Sequence, residues 1–91
     1  LTPNPVVRLN RTIALSYSAD PNKALAEISG LETDLAHYQP YYAGLADILR
    51  RCGKMKDAAA AYEKAIALSS NASERAFLKK RRAALHLTAA S

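Results

Sequence analysis

The chain has 91 residues, 49% of them apolar, and 13 Lys and Arg against 8 Asp and Glu give a formal charge of +5. That length admits one small domain with a modest core, and Cys52, alone, excludes an internal disulfide, so nothing implies an oxidising compartment; the expected location is cytoplasmic. No apolar run approaches the ~20 residues a membrane span needs, and no signal-peptide pattern opens the chain.

Asn4-Pro5 reads as an N-cap followed by proline at the first helical position, where its missing N–H is harmless. The first helix then runs to about Ser18, with Val6, Leu9, Ile13 and Tyr17 at helical spacing. Asp20-Pro21 repeats the signal and opens a shorter helix over 21–29, stopped at Gly30. Residues 30–37 lack a sustained period and read as a loop. A third helix begins near Tyr38 to Pro40 and reaches Cys52, with Gly53 as a left-handed C-cap. A fourth spans 56–69. Asn71-Ala72-Ser73-Glu74 then has capping-box spacing and opens a fifth helix to about Leu87, ahead of a tail, 88–91, expected to fray.

Thirty-four residues separate Ala24 from Ala58, and that is the period of the tetratricopeptide repeat (TPR), a helix–turn–helix unit. In the second unit Tyr42, Leu45, Ala46, Leu49, Gly53, Ala58, Tyr62, Ala65 and Leu68 follow its pattern. The small residues permit close helix approach, and the larger ones fill the remaining gaps. In the first unit Ala24, Ile28 and Leu31 precede Ala58, Tyr62 and Ala65 by one period, but Thr12 faces Ala46 and Arg8 faces Tyr42. A register shift in the first helix, or the tight Ala19-Asp20-Pro21 turn, would account for that mismatch. The expected fold is all-α: antiparallel hairpins over 5–35 and 38–70, and a capping helix over 71–87. Phe77, Leu78, Ala84 and Leu85 are expected to cover the exposed end of the stack, with Arg75, Lys79 and Arg82 outward.

Three ordered segments are more distinctive than the repeat. They are Pro3-Asn4-Pro5-Val6-Val7-Arg8-Leu9-Asn10-Arg11-Thr12-Ile13-Ala14, the stretch from Tyr42 to Gly53 containing Leu49-Arg50-Arg51-Cys52-Gly53, and Asn71-Ala72-Ser73-Glu74-Arg75 with its continuation to Arg81. Together, across about residues 3–85, they resemble the C-terminal region of TPR-tailed bacterial RNA polymerase sigma factors of the extracytoplasmic-function (ECF) subfamily. The resemblance implies a parent protein that binds core polymerase and recognises promoters through N-terminal domains absent from this chain, which begins at Leu1. It implies that this part regulates the parent by docking on those domains, on core polymerase or on another protein. The family offers no catalytic residues to carry over.

Two groups of side chains are candidates for partner contact. Arg8, Asn10 and Arg11 lie on the first helix, and Tyr38, Tyr41 and Tyr42 open the third; repeat arrays line a groove with these helices. Arginine suits a carboxylate bidentately, and an exposed tyrosine pair suits a binding hot spot. The plainer alternatives are an intramolecular bond from Asn10 and tyrosines packed into the core. A carboxylate clamp of the TPR type is disfavoured by Gly44 and Asp47 in the second repeat. Arg75, Lys79, Lys80, Arg81 and Arg82 form the second group, with Glu74 the sole acid after residue 70. They suit an acidic surface or phosphates, or else merely a solvated helix with bases in its C-terminal half. No nucleic-acid motif accompanies them, so direct DNA contact is not expected.

His37 and His86 are far apart and read as surface residues, Cys52 as a small apolar filler, and no metal-ligand spacing occurs. No Ser/His/Asp set, phosphate loop or paired-acid site stands out, so neither catalysis nor a cofactor is expected. The leading alternatives to a sigma-factor domain are a free-standing peptide-binding adaptor and, less favoured, a basic nucleic-acid accessory module. Two repeats leave an open amino-terminal flank, which keeps dimerisation in play.

Overall fold

A computed structural model describes residues 4–18 and 20–89, with side-chain surroundings through residue 85. Five helices follow in chain order: α1 (Pro5–Ser18), α2 (Pro21–Ser29), α3 (Gln39–Arg51), α4 (Met55–Leu68) and α5 (Ala72–Ala89). No strand occurs among the described residues. The all-α expectation holds, and α5 extends beyond the expected Leu87 to Ala89. Ala19 of the expected tight turn, the last two residues of the tail and the His86 side chain lie outside the described residues.

Local chemistry sets most helix ends. The Asn4 Oδ1 accepts from the Val6 N–H at 2.8 Å, and the Asp20 carboxylate accepts from the Asn22 N–H at 2.9 Å. The backbone and side-chain bonds from Asn22 to that carboxylate hold its pKa below the usual value. Gly53 has a φ of 82°, the only described residue with a clearly left-handed backbone. Its N–H bonds to the Arg50 carbonyl, and the Lys54 N–H bonds to the Leu49 carbonyl at 2.9 Å, the two bonds of a Schellman motif. Gly30, by contrast, is right-handed with φ of −70°, so its place does not demand glycine.

At the start of α5, Asn71 Oδ1 accepts from the N–H groups of Ser73 at 2.8 Å and Glu74 at 3.2 Å. The Asn71 N–H turns to the Ser69 hydroxyl rather than to Glu74, so only half of the expected box forms. Asn71→Ala should therefore lower stability by ~1 kcal/mol, and Gly53→Ala by ~1–2 kcal/mol through the left-handed backbone. Urea unfolding of both variants checks these costs, and an unchanged midpoint for either contradicts the corresponding cap.

The segment between α2 and α3 is the expected loop, but it is partly buried. It is a series of turns that drops Leu31 and Leu35 into the core. Two tyrosines of α3 hold it there: Tyr41 donates its hydroxyl to the Ile28 carbonyl and Tyr42 to the Ala36 carbonyl, each at 3.0 Å. Burial first, with Glu32 and Tyr42 adding to it, pushes the Tyr41 phenol up to about 12, so it remains a donor at any ordinary pH.

Packing follows the repeat. Ala24 and Ala58 are both fully buried, as are Ile28 and Tyr62, and Leu31 and Ala65. The inward faces of α2 and α4 therefore match at a spacing of 34 residues. Consecutive helices pack against one another, and α1 also meets α3. Ile13 lies against Gly44, where an added Cβ would come within 2.6 Å of the Ile13 Cδ1. Farther along the same two helices Arg51 reaches Ser16, so α1 and α3 run in the same direction. The bond of Arg75 to the Ser69 carbonyl and the Arg82–Glu63 pair show α5 antiparallel to α4. Helices α1, α3 and α5 thus form one layer, and α2 and α4 the other.

Two helix faces depart from the sequence reading. On α1 the buried stripe is Leu9, Thr12 and Ser16, while Val6 and Ile13 are half-buried and Tyr17 is 70% exposed. Thr12 and Ser16 tolerate burial because their hydroxyls donate to the Arg8 and Ile13 carbonyls of their own helix. On α5 Leu78 and Leu85 carry the contact with α4, while Phe77 stays 56% exposed and Ala84 also faces outward.

Candidate functional site

A cleft runs across the layer of α1, α3 and α5. Ile13 and Tyr17 of α1 form one wall, Phe77, Leu78 and Arg81 of α5 the other, and Ala43, Gly44 and Asp47 of α3 the floor. Its volume is 370 Å³. Phe77 and Arg81 also border a second hollow of 480 Å³ with Arg50 and Lys80, so the two share a wall on α5.

Asp47 is the centre of this surface. Arg50 Nη2 donates to its Oδ1 at 2.7 Å, Arg51 Nε lies 3.3 Å from Oδ2, and Arg81 Nη1 lies 3.9 Å from Oδ1. The Tyr17 hydroxyl donates to Oδ2 at 3.2 Å. Asp47 sits one helical turn before Arg50 and Arg51, which explains two of these contacts; the others join three helices. Burial pushes the Asp47 carboxyl up, but the Arg50 bond, the charges of Arg50 and Arg51 and the Tyr17 hydroxyl together hold it below the ordinary range. The Asp47 hydrogen bond in turn raises the Arg50 guanidinium pKa.

Arg51 also closes the end of α1. It donates to the Ser16 carbonyl at 2.7 Å and to the Ser16 hydroxyl, and its guanidinium lies 4.2 Å from the centre of the Tyr17 ring. Arg81 lies 5.2 Å from the centre of the Phe77 ring. The cleft thus has two exposed aromatic walls, each paired with an arginine, above the Asp47 carboxylate, and Glu74 also lines it.

The residues singled out from sequence fall elsewhere in large part. Arg8 and Arg11 border a different hollow, of 520 Å³, with Thr12, Leu15, Glu27 and Leu31 on the α1–α2 flank. They do not line a groove between α1 and α3, because the turn of α1 that meets α3 carries Ile13 and Tyr17. Asn10 is exposed and makes no side-chain hydrogen bond among the described residues. Tyr41 and Tyr42 are core residues, so the exposed tyrosine pair does not exist; Tyr38 is 37% exposed.

The basic residues of α5 also divide. Arg75 donates to the Ser69 carbonyl at 2.9 Å, and Arg82 lies 3.6 Å from Glu63, so both turn toward α4 rather than fully outward. Lys79 and Lys80 are exposed, and Arg81 joins the cleft. His37 is exposed and Cys52 packs against the core. No cluster of three His, Cys, Asp or Glu suited to a metal occurs among the described residues.

The chain is similar to an uncharacterized protein of Rhizobium meliloti (strain 1021), with 39% identity over 79 residues. The match covers 87% of this chain and 19% of that protein, so the chain spans a small part of its relative's length. No family model matches the chain, and no solved structure matches it.

The cleft was missed from sequence because its residues come from three helices. Tyr17 looked like part of an apolar stripe, Phe77 like a core residue, and Asp47 only like an obstacle to a carboxylate clamp. The available signal was Asp47-Ile48-Leu49-Arg50-Arg51, which places two arginines on the carboxylate's own helix face. No helix among the described residues is long and apolar enough to cross a membrane.

Proposed function

We propose that this chain is a non-catalytic, TPR-like docking domain from the C-terminal region of an ECF-subfamily sigma factor. The observation that carries the recognition reading is the equivalence of Ala24, Ile28 and Leu31 with Ala58, Tyr62 and Ala65 in successive hairpins. Such stacking buries one face of each hairpin and leaves the layer of α1, α3 and α5 as a continuous surface for a partner. The three ordered segments described above favour the sigma-factor parentage. Similarity to part of a longer bacterial protein supports reading the chain as a module.

In this reading the domain works in the cytoplasm by holding a partner. The cleft positions it, and Lys80 and Arg81 add electrostatic attraction. The partner is the N-terminal sigma domains of the parent, core RNA polymerase or a regulator. Calorimetric titration of the chain at low salt, against the parent's N-terminal domains and against core polymerase, tests this. Saturable binding to either supports the assignment; absence of binding to both overturns it.

A further inference from the structure

On the α5 side of this surface donors exceed acceptors. Arg50, Lys80 and Arg81 border the hollow next to the cleft, which no acid lines, while Asp47 and Glu74 line the cleft itself. A guanidinium offers five N–H groups, and one carboxylate shared among three guanidiniums leaves much of that capacity open. Arg51 spends its remaining donors on Ser16, but Arg50 and Arg81 have no second anion. The Arg50 Nε is buried and makes no hydrogen bond. The Tyr62 hydroxyl is buried too. It borders the same cleft and interacts with the Arg50 guanidinium beside it. Beside these polar groups stand the exposed rings of Phe77 and Tyr17.

We infer that the cleft centred on Asp47 is the docking site for an acidic peptide segment that also carries an apolar side chain. This rests on the docking reading above and adds the chemistry of the partner. Arg50, Lys80 and Arg81 take the carboxylates of the segment, Arg81 bidentately over the Phe77 face. Phe77 and Tyr17 cover its apolar group. Asp47 holds the guanidiniums apart and in place before the partner arrives, so less side-chain freedom is lost on binding. Arg75 and Arg82 turn away to α4, so the bases form a cluster rather than a track along a nucleic-acid backbone.

Fluorescence anisotropy with a short labelled peptide of Asp, Glu and Leu tests the inference, with its Asn/Gln/Leu counterpart and an unrelated DNA duplex as controls. The acidic peptide should bind at low salt and the counterpart should not. Arg81→Glu and Lys80→Glu should each weaken binding about tenfold, a loss of ~1.4 kcal/mol. Phe77→Ala should weaken it similarly. Lys56→Glu, exposed at the start of α4, changes the charge equally and should have little effect. Circular dichroism melts confirm that each variant folds. Equal loss with Lys56→Glu, equal binding of the neutral peptide, or tighter binding of the duplex overturns the inference. If the peptide fails while the parent's N-terminal domains or core polymerase still bind, the inference falls and the docking assignment stands; if all three fail, both fall.

Discussion

Ala58→Leu is expected to destabilise the domain by ~1–3 kcal/mol, and Ala24→Leu to do the same, because each forces extra methylenes into a closed helix contact. Both alanines have no exposed surface, and each sits at the same point of its hairpin. Ile28 and Leu31 follow Ala24, and Tyr62 and Ala65 follow Ala58, in the same buried core. The controls are Ala26→Leu and Ala67→Leu, on the exposed faces of the same two helices. Surface changes of this kind fall within about 0.5 kcal/mol of neutral. Urea denaturation of the four variants gives the comparison. A large cost at one buried alanine and none at the other would show that the hairpins are not equivalent, whatever their sequence spacing.

Asp47→Asn is the second large effect, and its pH dependence is as informative as its size. The carboxylate joins α1, α3 and α5 through Tyr17, Arg50, Arg51 and Arg81, and its side chain is 17% exposed. Bonds to charged groups contribute ~1.5–3 kcal/mol, and the partly exposed arginines place the expected loss near the lower end. The folded-state pKa of Asp47 is depressed, so its stabilisation is complete above the unfolded value of about 3.9 and is lost as pH falls through the lower folded value. The wild-type and Asp47→Asn stabilities should therefore differ at neutral pH and converge in acid. A constant offset across that window would mean that the asparagine disturbs packing and that charge is not the cause.

Features governed by neighbours in sequence were readable without coordinates. Asn4, Asp20 and Asn71 accept bonds from N–H groups two or three residues on, and Gly53 bonds back within one turn, so spacing alone located the helix ends. The shared faces of α2 and α4 were readable because each carries one uninterrupted apolar stripe. The face of α1 was not. Its buried positions hold Thr12 and Ser16, whose hydroxyls are satisfied within the helix, so apolar periodicity pointed to Tyr17 instead.

Tyr41 and Tyr42 took the plainer of their two readings, the core, and the sequence left the choice open for a related reason. Adjacent residues on a helix point about 100° apart, and only a helix covered on several sides buries both. Helix α3 is such a helix, packed against α1, α2 and α4. The cleft itself depends on contacts such as Tyr17–Asp47 and Arg81–Asp47, between helices distant in sequence. Local pattern carries no record of them.

An amide chemical-shift titration of the isotopically labelled chain with the parent's N-terminal sigma domains is the most direct measure of where recognition occurs. The largest shifts should fall at Tyr17, Gly44, Asp47, Phe77 and Arg81, with Ala26 and Ala67 on the opposite layer unmoved. Shifts confined to α2 and α4, or none at saturating partner, would contradict a docking face built from α1, α3 and α5.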